Sequence, residues 1–173
     1  MKRIIPLLVT VFAVFSYSCN SDDDYVQPID NVDYDTYPVV YDLRNVNFDY
    51  VDGVFMINRT FNNPMYDSDV LLVYMQNGST NDGSPIWQPI PITFYLSGGD
   101  EVDYNFDFSA YDVAIYASGN FELNGTSYVN NKTFRLVFVP ASFDKTTDNQ
   151  VDYNDYESVI RHFNIDDTHV ETL

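Results

Sequence analysis

The chain has 173 residues with 26 acidic and 8 basic side chains, which gives a formal net charge of −18 at pH 7. Apolar residues make up 45% and aromatic residues 17%, enough to build a core, so the composition argues against a disordered chain. A strongly negative field repels phosphate groups, so nucleic acids and anionic lipid headgroups are disfavoured as partners. Binding of cationic partners or divalent metal ions is compatible with this charge.

The first residues have the pattern of a signal for export. Lys2 and Arg3 precede an apolar run over 4–15, which is shorter than the roughly 20 residues needed to cross a bilayer. The run ends beside Cys19, the one cysteine in the chain, so an internal disulfide is impossible. This pattern resembles a bacterial lipoprotein signal, although Ser16 stands where a leucine is usual. The resemblance implies that 1–18 is a signal peptide and that Cys19 carries acyl chains such as palmitate.

The segment after Cys19 is acidic. Ser21, Asp22, Asp23 and Asp24 resemble the signal that sends lipoproteins of the Bacteroidota to the outer face of the outer membrane. Residues 19–38 are rich in Asp, Pro and Tyr and show no sustained period, so we expect a lipidated acidic tether. The resemblance implies a location at the outer membrane, with the domain facing the cell exterior and contacting the membrane only through its lipid.

Residues 39–173 are expected to form one β-sandwich domain. Turn residues at Asp52-Gly53 and at Ser97–Asp100 each separate two runs of alternating apolar residues, which predicts two antiparallel hairpins. One of these runs is Glu101–Phe108, in which Val102, Tyr104, Phe106 and Phe108 should point inward. Together with further β-rich runs and turn signals, these hairpins predict an all-β antiparallel sandwich of about seven or eight strands. The sandwich is expected to be Ig-like or jelly-roll-like, and a barrel is the alternative. The runs are 70–75, 113–116 and 134–139, and the loops are marked by Asn77-Gly78, Asp82-Gly83 and Asn124-Gly125.

Trp87 lies in the proline-flanked segment 84–89. A tryptophan in such a segment could present an aromatic platform to a sugar or peptide, which makes Trp87 the candidate ligand-binding residue. A role in the core is the other interpretation, and it is the one favoured by the usual burial of tryptophan.

One helix is predicted near the end of the chain, over 153–163. Tyr156, Val159, Ile160 and Phe163 have the spacing of an apolar helical stripe. Asp152 is expected to cap the start of this helix and Asn164 its end.

A calcium-binding loop is a second interpretation of the residues before this helix. Oxygen-bearing side chains occupy the EF-hand spacing, with Gln150 at the position that contributes a backbone carbonyl. The loop resembles one half of a dockerin, although Thr146 and Asp155 depart from the usual ligands. Side chains that only cap the helix are the favoured interpretation. The candidate ligands are Asp144, Thr146, Asp148, Gln150, Asp152 and Asp155.

No enzymatic motif is visible in the sequence. A Gly-x-Ser-x-Gly elbow and a phosphate-binding glycine loop are absent, and His162 and His169 lack metal-ligand spacing. The segments 45–48, 100–108 and 152–156, together with the leader, resemble a family of small flavobacterial surface lipoproteins. That resemblance implies a location but no activity.

We therefore predict a non-enzymatic binding or structural module without a required cofactor, whose partner is a protein or a glycan. The alternatives are a hydrolase acting on surface polymers, whose carboxylates would meet only in space, and a calcium-stabilised adhesion module.

Overall fold

The computed structural model describes residues 38–141, 151–168 and 170–173, and all of them belong to one compact unit. The described residues form ten strands and one helix. The strands are β1 (Val39–Val46), β2 (Asp49–Val51), β3 (Val54–Thr60), β4 (Val70–Ser79), β5 (Pro85–Pro89), β6 (Ile92–Tyr95), β7 (Glu101–Phe108), β8 (Asp112–Gly119), β9 (Lys132–Val139) and β10 (Glu171–Thr172), and the helix is α1 (Tyr156–His162).

The strands make two five-stranded sheets. Sheet A has the order β10-β1-β9-β4-β5 and sheet B the order β2-β3-β8-β7-β6. Every neighbouring pair is antiparallel except β1 and β10, which are parallel. This confirms the all-β sandwich. The count of seven or eight strands was too low, because β1, β5 and β10 lie outside the predicted runs. Asp42 and Arg44 interrupt the apolar pattern of β1, β5 begins and ends with a proline, and β10 has only two residues.

Both predicted hairpins are confirmed, and in each the turn contains residues with positive φ. Asp52 and Gly53 have φ of 50° and 90° in the two-residue turn between β2 and β3, as a type I′ turn requires. Gly98 and Gly99 have φ of 93° and 91° between β6 and β7.

The Asn77-Gly78 signal was misinterpreted. These residues lie inside β4, where the pairing with β5 shifts register between Gln76 and Ser79 and Gly78 has a φ of 92°. A glycine with positive φ inside a strand produces a β-bulge as readily as a loop. Local sequence does not separate the two outcomes.

The main core fills the space between the sheets. Sheet A contributes Leu43, Phe134 and Leu136, while sheet B contributes Val102 and Ile115, all essentially inaccessible to solvent. Phe134 and Leu136 occupy alternate positions of β9, and Val102 and Tyr104 do so in β7, as expected for side chains that share one face of a sheet.

Phe108 corrects one expectation about the inward face of β7. Its side chain is 43% exposed because it is the last residue of the strand, where the chain turns toward β8. There it stacks on Phe106, with ring centroids 6.2 Å apart.

Helix α1 covers the outer face of sheet A. Tyr156, Val159 and Phe163 pack with Tyr74 of β4 and Val137 of β9 in a second buried cluster. Strand β9 is therefore buried on both faces, which explains why 134–139 is almost continuously apolar instead of alternating.

The helix is shorter than the predicted 153–163, and its N-cap is Asp155 instead of Asp152. The Asp155 side chain accepts a hydrogen bond from the Glu157 backbone N–H. At the other end, Asn164 has a φ of 49° and the Ile165 N–H donates to the Ile160 carbonyl at 3.0 Å. This is the left-handed helix ending of a Schellman motif, so the prediction that Asn164 ends the helix is confirmed.

Candidate functional site

Most of the sequence-predicted site residues fall in parts of the chain that the structure does not describe. The lipidation residue Cys19 and the export residues 21–24 lie outside the described residues, as do the calcium candidates Asp144, Thr146, Asp148 and Gln150. Their roles stay predictions.

The two calcium candidates that are described both hold backbone N–H groups. Asp152 accepts from Asn154 N–H at 3.0 Å, and Asp155 accepts from Glu157 N–H at 3.2 Å. Asp155 also lies 3.8 Å from the exposed guanidinium of Arg161. Within 38–141, 151–168 and 170–173, no three His, Cys, Asp or Glu side chains are placed to hold a metal ion. Asp155 caps the helix, whereas Asp152 holds a turn that precedes it. Calcium binding by the loop stays a prediction.

Trp87 is half-buried on β5. The guanidinium carbon of Arg135 lies 4.3 Å from the centroid of its ring, and the ring of Tyr156 lies 5.9 Å from it. The Trp87 side chain therefore packs at the edge of the second buried cluster, and Arg135 covers one face of its ring.

Arg135 is the centre of a buried polar network on the outer face of sheet A. Its side chain is 8% exposed and donates two hydrogen bonds to Asp42 of β1, at 2.8 and 3.1 Å. A third nitrogen donates to the Tyr156 hydroxyl at 2.7 Å and to Asp167 at 3.3 Å, and that hydroxyl donates to Asp167 at 2.7 Å. The network thus ties α1 and the segment after it to β1 and β9.

Burial and hydrogen bonding shift the pKa values of Arg135 and Tyr156 in this network. Burial acts to lower the pKa of Arg135, but the hydrogen bonds with Asp42 and Tyr156 outweigh it and raise the pKa overall. Burial, followed by the hydrogen bond to Asp167, raises the pKa of Tyr156, and burial raises that of Tyr74. Every buried side-chain nitrogen and oxygen in the described residues has a hydrogen-bond partner. The network therefore acts as a structural connection, with its polar atoms already engaged.

An open groove lies at one end of the sandwich, and we call it the terminal groove. Its volume is about 450 Å³, within the size range of small-ligand sites. Its walls come from Val39 and Tyr41 of β1, Phe138 of β9, the β3–β4 connection over 61–69, and Leu173. The Phe138 ring meets Tyr41 and Phe61 edge-on, with centroids 5.7 and 5.0 Å apart. The floor is therefore largely aromatic.

The β3–β4 connection is held in place by its own backbone. Phe61 N–H donates to the Tyr111 carbonyl at 2.8 Å, and Met65 N–H donates to the Ala110 carbonyl at 2.7 Å. Asp69 closes a turn by accepting from Tyr66 N–H at 3.2 Å. The wall of the groove is thus shaped before any ligand arrives.

The polar side chains of the terminal groove are Asn62 and Asn63, both exposed, and the half-buried Asp69. None of the described residues that line it is Lys, Arg or His. Sequence reasoning missed this site, because residues of β1, β9 and 61–69 meet only through strand pairing. The one local indication was the Asn-Asn-Pro turn that follows Phe61.

Comparisons with known proteins add no relative. No protein-family model matches the chain, and no curated protein and no solved structure matches it. None of the helices in the described parts of the chain is long and apolar enough to span a membrane.

Proposed function

We propose that this protein is a lipoprotein anchored to the outer membrane through Cys19, and that its sandwich is a non-enzymatic module that binds a partner at the cell surface. The observation that supports binding most directly is the terminal groove, an open aromatic site with a pre-formed wall. The apolar leader ending at the single cysteine, followed by 21–24, supports the anchor. Several acyl chains on one cysteine would hold the domain stably at the membrane.

The anchor is tested by metabolic labelling with a palmitate analogue in the native host. The wild-type chain should incorporate the label and partition with membranes, and Cys19→Ala should do neither. Replacing Asp22, Asp23 and Asp24 together by Ala should leave labelling intact but protect the domain from protease added to whole cells. Labelling that persists in Cys19→Ala would remove the anchor from the proposal.

Binding is tested by site-specific crosslinking on intact cells. A photoreactive amino acid at position 63, on the rim of the terminal groove, should give a discrete adduct after irradiation. The matched control places the same group at position 58, an exposed asparagine of β3 outside the groove. Equal labelling patterns at positions 63 and 58, or none at 63, would count against a binding role for the groove.

A further inference from the structure

We propose that the ligand of the terminal groove is a short uncharged saccharide. This inference rests on the proposed binding role and specifies the chemistry that the groove recognises. Three properties of the groove lead to this class of ligand. They are its charge, its combination of aromatic and amide side chains, and the main-chain groups of its wall that are already hydrogen-bonded.

The charge of the groove argues against an anionic ligand. Asp69 carries the one side-chain carboxylate among the described lining residues, and none of those residues is Lys, Arg or His. The whole chain has a formal net charge of −18, so an approaching uronate, phosphate or sulfate group would be repelled without a local cation to offset the repulsion. A neutral ligand meets no such barrier.

The chemistry of the lining matches a sugar ring. One surface is aromatic, formed by Tyr41, Phe61 and Phe138, and the rim carries the amides of Asn62 and Asn63. An amide side chain both donates and accepts hydrogen bonds, as does each hydroxyl of a sugar. A sugar ring also has C–H surfaces that can pack on aromatic side chains, so one ligand satisfies both parts of the groove.

The backbone around the groove disfavours an extended peptide as the ligand. A peptide that joins a sheet needs unpaired main-chain groups on its host. The N–H groups of Phe61 and Met65 are already bonded to the β7–β8 turn, and β1 is paired with β9 along one edge and with β10 along part of the other. Recognition along the wall therefore depends on side chains, and the fixed wall reduces the entropy lost on binding.

The test uses the full chain in lipid nanodiscs on an array that holds neutral saccharides, saccharides with uronate or sulfate groups, and short peptides. Positive ligands are then titrated by calorimetry against the wild type and four variants. Asn62→Ala and Asn63→Ala should each weaken the binding of a neutral saccharide about fivefold, the loss expected for one hydrogen bond. Val39→Trp should abolish binding, because the larger side chain fills the groove. Asn58→Ala, which is outside the groove, should leave the affinity unchanged.

Melting temperatures of all four variants establish that the fold is intact. Neutral saccharides that bind the wild type and lose affinity in the three groove variants would support the inference. The inference is overturned if no neutral saccharide is bound, or if the binding of a saccharide is unaffected by Val39→Trp. Binding of peptides that Val39→Trp blocks would also overturn it while leaving the groove as a binding site. An absent crosslink at position 63 on cells would instead remove the proposed binding role of the groove.

Discussion

Replacing Arg135 by Ala is expected to destabilise the domain strongly, because the change leaves Asp42 in a buried site. The Asp42 side chain is 4% exposed and receives two hydrogen bonds from Arg135. Breaking a buried ion pair by removing one partner typically costs about 3–5 kcal/mol. Arg44 also contacts Asp42, at 2.9 Å, and retains part of the pairing. We therefore expect the lower end, about 3 kcal/mol, which is a large fraction of a typical stability of about 5–15 kcal/mol.

The chain supplies a matched control for this measurement. Arg161 and Asp155 form a second Arg–Asp pair at 3.8 Å, but their side chains are 69% and 52% exposed. Exposed pairs of this kind contribute less than about 1 kcal/mol. Urea unfolding followed by circular dichroism should therefore show a much larger loss for Arg135→Ala than for Arg161→Ala.

A double replacement separates the burial of a charge from the loss of packing. Asp42→Leu combined with Arg135→Met removes both charges but keeps apolar volume, so it should recover most of the stability lost in Arg135→Ala. If Arg135→Ala and Arg161→Ala lower the free energy of unfolding equally, the network is not desolvated and this reasoning is wrong. A double variant as unstable as Arg135→Ala would show that shape and stacking matter more than charge.

Three further outcomes are expected from unfolding measurements. Gly119→Ala should cost about 1–3 kcal/mol, because its Cβ would lie 2.8 Å from the Glu101 carbonyl oxygen, whereas Ser118→Ala should be nearly neutral. Lys132→Met should raise the melting temperature at pH 7, since burial lowers the pKa of Lys132 below 10.5 and the charged form is thus disfavoured in the fold. The Lys132 ammonium lies 5.7 and 5.9 Å from the ring centroids of Tyr104 and Tyr128, and a lower melting temperature would mean that these contacts dominate. Burial raises the pKa of Tyr156 above 10.0, so the folded state keeps a proton that the unfolded chain loses. The contribution of Tyr156 is full below pH 10 and should fall above it by about 1.4 kcal/mol per pH unit. Because burial also raises the pKa values of Tyr74 and Tyr104, Tyr156→Phe should reduce the measured slope by this amount without abolishing it.

The parts of the fold that sequence predicted correctly are the local ones. Asp52-Gly53 and Gly98-Gly99 fix hairpins because few other residues adopt positive φ at low cost. The alternation in β7 identified Val102 and Tyr104 as core residues for an equally local reason. Both depend on neighbours in the chain alone.

The pairing of distant strands could not be read from the sequence. Asp42 and Arg135 are 93 positions apart, and no local pattern connects them. The single charge in the apolar run 134–139 was an indication, since a charged residue inside a doubly buried strand must find a partner. The terminal groove depends on the same long-range pairing, together with the positions that β10 and 61–69 take beside β1. The groove could therefore be found only from the three-dimensional structure.

The parallel pairing of β1 with β10, whose residues are 130 positions apart in the chain, determines when the domain can fold. Tyr41 and Asp42 pair with Glu171 and Thr172, and the Leu173 N–H donates to the Asp42 carbonyl at 3.2 Å. Contacts between such distant positions form slowly, because a long loop must close before any of them is made. Sheet A is therefore complete only after the chain through Thr172 is available. The proposed lipid anchor requires export of the chain through a translocation channel in an unfolded state. Late closure of sheet A would keep the chain unfolded until it is exported.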